Sequence, residues 1–292
     1  MAITQTVTGT GVSVASLSTP SWAPAANELI LVWVACRQGV TASAVSGNGI
    51  TFVKVLEDTE ASQGQCTLSL WRGMSASPSA GTITATLSDT ALAAVIMSHR
   101  ISGADTSGSN GSGAIGASAI ANTGATDTTA PSVTLTTTAA NSRVYGGATH
   151  RNQTYTVGAG ETAISLNITA GTADDVTSIS TEYQDVATPS SVTINGTLTS
   201  ETDWIQGAVE ILAAIPTVTA DATILPSGDT LSGAAAVAVQ AGAASLTQGA
   251  DVLSADGTRG VAFAPWAQHT FALTADNLAR TARRDTTFAI GA

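Results

Sequence analysis

Residues 66–70 read Cys-Thr-Leu-Ser-Leu, and apolar and polar side chains alternate strictly along them. The same alternation recurs in residues 82–87 (Thr-Ile-Thr-Ala-Thr-Leu), residues 164–168 (Ile-Ser-Leu-Asn-Ile) and residues 192–194 (Val-Thr-Ile). Strict alternation places one face of a strand on a core and the other toward solvent or a partner. Because helical periodicity is hard to find anywhere in the chain, the sequence predicts an all-β protein.

Two longer runs are apolar almost without interruption, and they predict a different kind of strand. Residues 29–36 read LILVWVAC and residues 91–97 read ALAAVIM. Runs of this kind are typical of strands that are covered on both faces. We therefore expect these two segments to be central strands, buried on both sides or at a subunit contact.

The chain contains two similar stretches, displaced by about 114 residues at their starts and about 111 near their ends. Residues 25–27 and 139–141 are both Ala-Ala-Asn, and residues 77–88 align with residues 188–199. Such spacing is typical of a duplicated unit with small changes in its loops.

The repeat predicts a β-sandwich domain at residues 1–213, with pseudo-repeats at about 20–104 and 130–213. The two units can form two sandwiches or the two halves of one, and we favour one sandwich because each unit alone has few aromatic residues for a core. The Gly/Ser/Asn-rich stretch 103–124 is predicted to be an exposed crossover loop. Beyond Pro216 the composition shifts to Ala, Gly, Asp and Thr, which predicts a small C-terminal β domain at residues 217–292 for attachment or multimerisation.

Charge excludes several classes of partner. The net charge is −11, charged residues make up 11% of the chain, and Lys54 is the only lysine. Nucleic acids and anionic membranes both require clustered Lys and Arg, so neither is an expected partner. The N-terminal residues MAITQTVTGT lack the basic and apolar regions of a signal peptide, and no apolar run is long enough to span a membrane. We therefore expect a protein made in the cytoplasm without a secretion signal.

The sequence offers no catalytic, metal-binding or cofactor-binding pattern. No two of the three histidines stand at metal-ligand spacing, and no nucleophile elbow of the form Gly-x-Ser-x-Gly is present. The glycines of residues 111–116 lie in low-complexity sequence without the strand-then-helix context that dinucleotide binding requires. Cys36 and Cys66 both lie in apolar runs and are interpreted as buried small hydrophobes, with a disulfide left open. We predict that the chain is not an enzyme and has no cofactor.

Two tryptophans are the candidate contact residues. Trp71 should point opposite Leu68 and Leu70, and its side chain would then be exposed. An exposed Trp71 or Trp22 can stack on a sugar ring or anchor an interface. The repeat alignment pairs Trp71 with Tyr183, which equally favours a shared packing role.

Three segments carry a resemblance to a known class of protein. Residues 27–34 (NELILVWV), 45–52 (VSGNGITF) and 68–72 (LSLWR) resemble jelly-roll-like β-sandwich proteins from tailed bacteriophages, and the likeness covers roughly residues 20–213. It implies a jelly-roll-like antiparallel β-sandwich and a non-enzymatic virion structural protein, such as a capsid decoration, head-fibre or tail-associated part. Other capsid or tail proteins and further copies of the chain are then the expected partners. The alternative is a glycan-binding or adhesin module directed at a host-surface glycan.

Overall fold

The protein is all-β. Burial follows the predicted alternation in residues 83–87 and 192–194, whereas residues 66–70 are buried on both faces because their strand lies between two cores. A computed structural model describes residues 1–60, 66–172 and 175–214, together with the backbone of four short strands farther along. The first half of the chain contains β1 (Ala2–Ser18), β2 (Leu29–Arg37), β3 (Ala42–Gly47), β4 (Ile50–Thr59), β5 (Cys66–Gly73) and β6 (Ile83–Ser102). The second half contains a single 3-10 turn (Ser112–Ala114), then β7 (Ile115–Asn122), β8 (Ser132–Thr136), β9 (Ser142–His150), β10 (Tyr155–Val157), β11 (Thr162–Thr172), β12 (Asp175–Val186), β13 (Ser191–Leu198) and β14 (Trp204–Ile211).

In the first half, one six-stranded sheet folds over itself. The order is β1-β6-β2-β5-β4-β3, and β3 also pairs with β6. The first arm of β6 pairs with β3 through residues 83–87, whereas the second arm pairs with β2 through residues 94–101. Because β6 bends between these arms, the sheet encloses a core of its own. That core contains Val32, Val34, Trp71, Ile83 and Ile96.

The second half divides the same arrangement between two sheets. A five-stranded sheet has the order β11-β12-β9-β14-β7, and a three-stranded sheet has the order β10-β13-β8. The side chains between them include Val133, Val144 and Ile194 in one cluster and Tyr155 and Trp204 in another. All pairings of β1 to β14 are antiparallel.

The two halves have the same strand order. The series β1-β6-β2-β5-β4 in the first half corresponds to β7-β14-β9-β12-β11 in the second. Asn27 and Asn141, which precede β2 and β9, both have a left-handed backbone, with φ of 59° and 55°. The halves differ where their strands pass from one layer to the other. β1 and β6 bend between the layers without a break, whereas their counterparts are interrupted between β7 and β8 and between β13 and β14.

The halves pack back to back through their largest sheets. β2 and β9 are buried at all nine of their residues, which confirms that residues 29–36 form a central strand. The main core between the sheets includes Leu31, Trp33, Met97, Tyr145 and Ile179. Antiparallel sheets packed face to face are consistent with the predicted β-sandwich, and each half also closes two layers around buried clusters of its own. Each half still depends on the other, because one face of its central strand is covered only by its neighbour.

The stretch 103–124 is not the exposed loop that its composition predicted. Residues 115–122 form β7, which pairs with β14, and Ala114 is fully buried. Pairing with an existing strand overrides the weak strand preference of Gly, Ala and Ser. In addition, β1 and β7 lie outside the predicted pseudo-repeats, so the shared strand order extends beyond the similarity in sequence.

The chain divides into two units, Met1–Ile215 and Pro216–Ala292. The structure describes four strands in the second unit: β15 (Ala244–Gln248), β16 (Asp251–Ala255), β17 (Gly260–Val261) and β18 (Phe271–Ala272). The attachment or multimerisation role predicted for residues 217–292 rests on residues that lie outside the described ones.

Candidate binding surface and buried polar groups

Both candidate tryptophans lie in the core of the first half. Trp22 has 5% and Trp71 has 7% of its surface exposed. The indole Nε1 of Trp71 donates to Ser69 Oγ at 3.1 Å, and Lys54 Nζ lies 5.0 Å from the ring centroid. The expected exposure of Trp71 is wrong, because the folded-over sheet covers the face opposite Leu68 and Leu70. Contact of either ring with a partner or a glycan remains a prediction.

A groove opens where the edges of the two large sheets come together. It has a volume of about 520 Å³, and its walls are the first residues of β1 (1–6) and of β11 (162–164) together with Arg143 and Tyr183. Arg143 donates two hydrogen bonds to Asp185, at 2.7 and 3.1 Å, and its guanidinium lies 3.8 Å from the Tyr183 ring centroid. The groove therefore combines a fixed cation and an aromatic ring with neutral polar side chains.

The second half carries a polar network inside its own core. Glu182 is fully buried, and its Oε1 accepts hydrogen bonds from Gln206 Nε2 at 2.8 Å and from Tyr155 Oη at 3.2 Å. Burial raises the pKa of Glu182 to about 8, so its carboxyl group keeps its proton at neutral pH. His150 stacks on Tyr155 with ring centroids 5.8 Å apart. These groups are sealed from solvent, so their chemistry acts on stability rather than on a substrate.

A second group of charges lies where the central strands end. Arg151 Nη1 lies 3.7 Å from Asp203 Oδ2, and the side chain of Asp203 is 1% exposed. Burial and the nearby Asp127 raise the pKa of Asp203 to about 6. Arg37 is the last residue of β2, and Arg151 directly follows β9. Burial and the neighbouring Arg151 lower the pKa of Arg37.

The described histidines and both cysteines are buried. Burial lowers the pKa of His99 to about 3 and that of His150 to about 4, so both are neutral at pH 7; His269 lies outside the described residues. Within residues 1–60, 66–172 and 175–214, no group of three or more His, Cys, Asp or Glu is arranged to hold a metal ion. Cys36 and Cys66 are free and buried, as interpreted, and they belong to cores on opposite faces of the same sheet. Burial raises the pKa of both thiols, that of Cys36 to about 12.

The sequence did not reveal the groove or the Glu182 network. Setting Asn27 equivalent to Asn141 places Val32 at Gly146, and the strand registers then match Trp71 with Glu182 rather than with Tyr183. The alignment by sequence was one residue out of register. A glutamate preceded by Ser180 and Thr181 carries no signal of burial, because its partners come from strands that are distant along the chain.

Comparison with known proteins gives no relative. No protein-family model, no curated protein and no solved structure matches this chain. Across the described residues, no helix has the length and apolar character needed to cross a bilayer.

Proposed function

We propose that this chain is a non-enzymatic structural part of a tailed-bacteriophage virion, acting through protein–protein contacts as a capsid decoration, head-fibre or tail-associated protein. The observation that carries the proposal is the construction of the body: four β layers enclose four buried hydrophobic clusters, and both central strands are buried along their whole length. Such a body is stiff, and its edge strands remain available for further contacts. The phage resemblance of residues 27–34, 45–52 and 68–72 supplies the setting.

We also propose a finer description of the fold. A jelly-roll-like body built from a duplicated unit is supported by the common strand order of the halves and by the shared left-handed Asn27 and Asn141. Its partners would be capsid or tail proteins and other copies of the chain, and its location would be the virion.

The test is quantitative mass spectrometry of purified particles from the source lysate, giving copies of this chain per major capsid protein. Hundreds of copies per particle indicate a decoration protein, and a few to some tens indicate a fibre, collar or tail-tip part. An abundant host cytoplasmic protein, measured in the same fractions, reports carry-over. A ratio no higher than that of the carry-over control would overturn the proposal.

A second candidate function, glycan binding, is favoured by the groove rather than by the tryptophans. Tyr183 lines it beside Arg143, and Thr4, Thr6 and Thr162 supply neutral hydroxyl groups. Aromatic rings with adjacent polar groups are suited to sugar rings. On a glycan array, Tyr183→Ala should lower any binding at least tenfold, whereas Thr193→Ala on the exposed face of β13 should leave it unchanged. Absence of binding across the array would exclude this function.

A further inference from the structure

β1 presents a long regular edge that no strand among the described residues covers. From Gln5 to Val12 the strand pairs in unbroken register with Arg100 to Ala93 of β6, and it stands at the end of its sheet. Eight regular residues span about 26 Å, longer than an average strand. The outer edge of such a strand carries a row of backbone N–H and C=O groups that can pair with another strand.

This edge lacks the devices that normally block pairing. Between residues 2 and 18 there is no charged residue and no proline, although the whole chain has a net charge of −11. The irregular features of β1 are two register shifts, between Ile3 and Gln5 and between Val14 and Ser16, and the left-handed Ser13, and all of them lie outside the regular window. At the edge of the other large sheet, β11 also has two register shifts and the left-handed Asn167, but these fall in the middle of the strand. Of these two edges, only β1 therefore offers eight consecutive regular residues.

The side chains of β1 are complementary to their own copy. An antiparallel pair about a twofold axis at Thr8 places Thr6 opposite Thr10 on one face and Val7 opposite Gly9 on the other. Threonine pairs across strands are favourable, and a bulky residue opposite glycine avoids crowding. No like charges meet, because the strand has none. A twofold interface needs this self-complementarity.

We infer that two copies of this chain pair antiparallel through the outer edges of β1, with the twofold axis at Thr8. The inference rests on the proposed function, for which it identifies one contact between copies. The two large sheets of the first halves then become one continuous sheet across the dimer.

The first experiment measures the mass of the full chain in solution by light scattering over a range of concentrations. The wild-type chain should reach twice its mass of 28.9 kDa. Thr8→Lys, which places two like charges opposite each other at the axis, should weaken the dimer at least tenfold. Ser43→Lys adds the same charge on exposed β3 and should leave the dimer intact. A wild-type chain that stays monomeric at every concentration would overturn the inference.

The second experiment tests the register of the β1 pairing directly, without a variant that weakens the dimer. Thr8→Cys should form an intermolecular disulfide under mild oxidation, because the two copies of residue 8 face each other at bonding distance. Thr10→Cys should not, because its copies lie about 13 Å apart along the strands. Cross-linking of both variants, of neither, or of Thr10→Cys alone would contradict the pairing. Pairing by a chain that is absent from particles would sink only the proposed function, and a chain present on particles without this pairing would sink only the inference.

Discussion

The two halves of the molecule use one strand arrangement to build two different interiors. Inside the first half the centre is apolar, with Trp71 among Val32 and Ile96. At the equivalent position the second half buries Glu182, held by Gln206 and Tyr155. Equivalent backbones therefore do not require equivalent cores. The strand order is compatible with either a packed ring or a hydrogen-bonded carboxyl group at this site.

Where the halves meet, their differences are complementary. Trp33 of β2 lies over Gly147 and Gly207. Gly147 occupies the position in β9 that corresponds to Trp33 in β2. A Cβ added at Gly207 would lie 2.8 Å from the Trp33 ring, and one at Gly147 would overlap it. Two tryptophans at these positions would compete for one space. Back-to-back packing thus makes the halves diverge in size at equivalent positions.

The segments that enter the central strands are anchored by opposite charges in the two halves. In the first, Arg100 bonds Glu28 at 2.6 Å and Ala23 O at 3.0 Å. At the position equivalent to Arg100, Glu210 accepts hydrogen bonds of 2.8–3.1 Å from Thr138, Ala139 and Ala117. Either charge serves, because a loop offers both carbonyl acceptors and N–H donors.

Removing the Trp33 ring, which packs between the halves, should have the largest effect on stability. Trp33→Ala empties the space above two glycines that cannot fill it, so the free energy of unfolding should fall by about 3–5 kcal/mol. Urea denaturation measures this loss, and Thr197→Ala at an exposed position of β13 should change stability by less than about 0.5 kcal/mol. A loss for Trp33→Ala below about 1 kcal/mol would show that the halves hold together without this contact.

Loss of the Glu210 anchor in the second half should have the next largest effect on stability. Glu210→Gln replaces an acceptor oxygen by a donor facing backbone N–H groups, and it should cost about 2–3 kcal/mol. Glu28→Gln, at a less buried site, should cost about 1 kcal/mol. Equal costs in urea denaturation would contradict the difference proposed between the anchors. Burial pushes the pKa of Glu210 upward, but its hydrogen bonds outweigh burial and lower it, so its contribution should be lost as pH falls below about 4.5.

Filling the glycine that receives the ring should have a smaller effect. Gly147→Ala should cost about 2 kcal/mol through overpacking against Trp33. Gly81→Ala is the matched control, since nothing lies within 4 Å of its added Cβ. In a Trp33→Ala background the cost of Gly147→Ala should largely disappear. Additive costs would show that the two positions do not share one space.

The buried carboxyl group should give the smallest effect, visible only as pH dependence. Between its ordinary pKa of 4.5 and its folded pKa of about 8, Glu182 keeps a proton that the unfolded chain loses, so stability falls as pH rises. The depressed pKa values of His99 and His150 raise stability as pH increases through about 6.5, and this opposite effect is small above pH 7. Wild-type stability should therefore fall by roughly 1 kcal/mol between pH 7 and 8.

The same measurement on two variants isolates the cause. Glu182→Gln should abolish this slope, whereas Glu57→Gln, at a partly exposed ion pair with Lys54, should leave it unchanged. A slope that survives in Glu182→Gln would assign the pH dependence to another group and remove the distinction between the two interiors.

The sequence by itself determined the strands and the double burial of residues 29–36, because alternation along a strand is a local property. Alternation also assigned one core face correctly to residues 83–87 and 192–194, but residues 66–70 alternate in the same way and are buried on both faces. Residues 25–27 and 139–141 indicated equivalent positions, and the two left-handed asparagines occupy them.

Only the tertiary structure decided which face of each strand meets which partner. It buried Trp71 by folding the first sheet over itself, drew residues 115–122 out of a predicted loop into β7, and joined Glu182 to Tyr155 and Gln206. Each outcome depends on contacts between residues far apart along the chain. A side chain's alternation shows that it points to one side of a strand, but only the packing of distant strands decides whether that side holds solvent, a core or a neighbouring half.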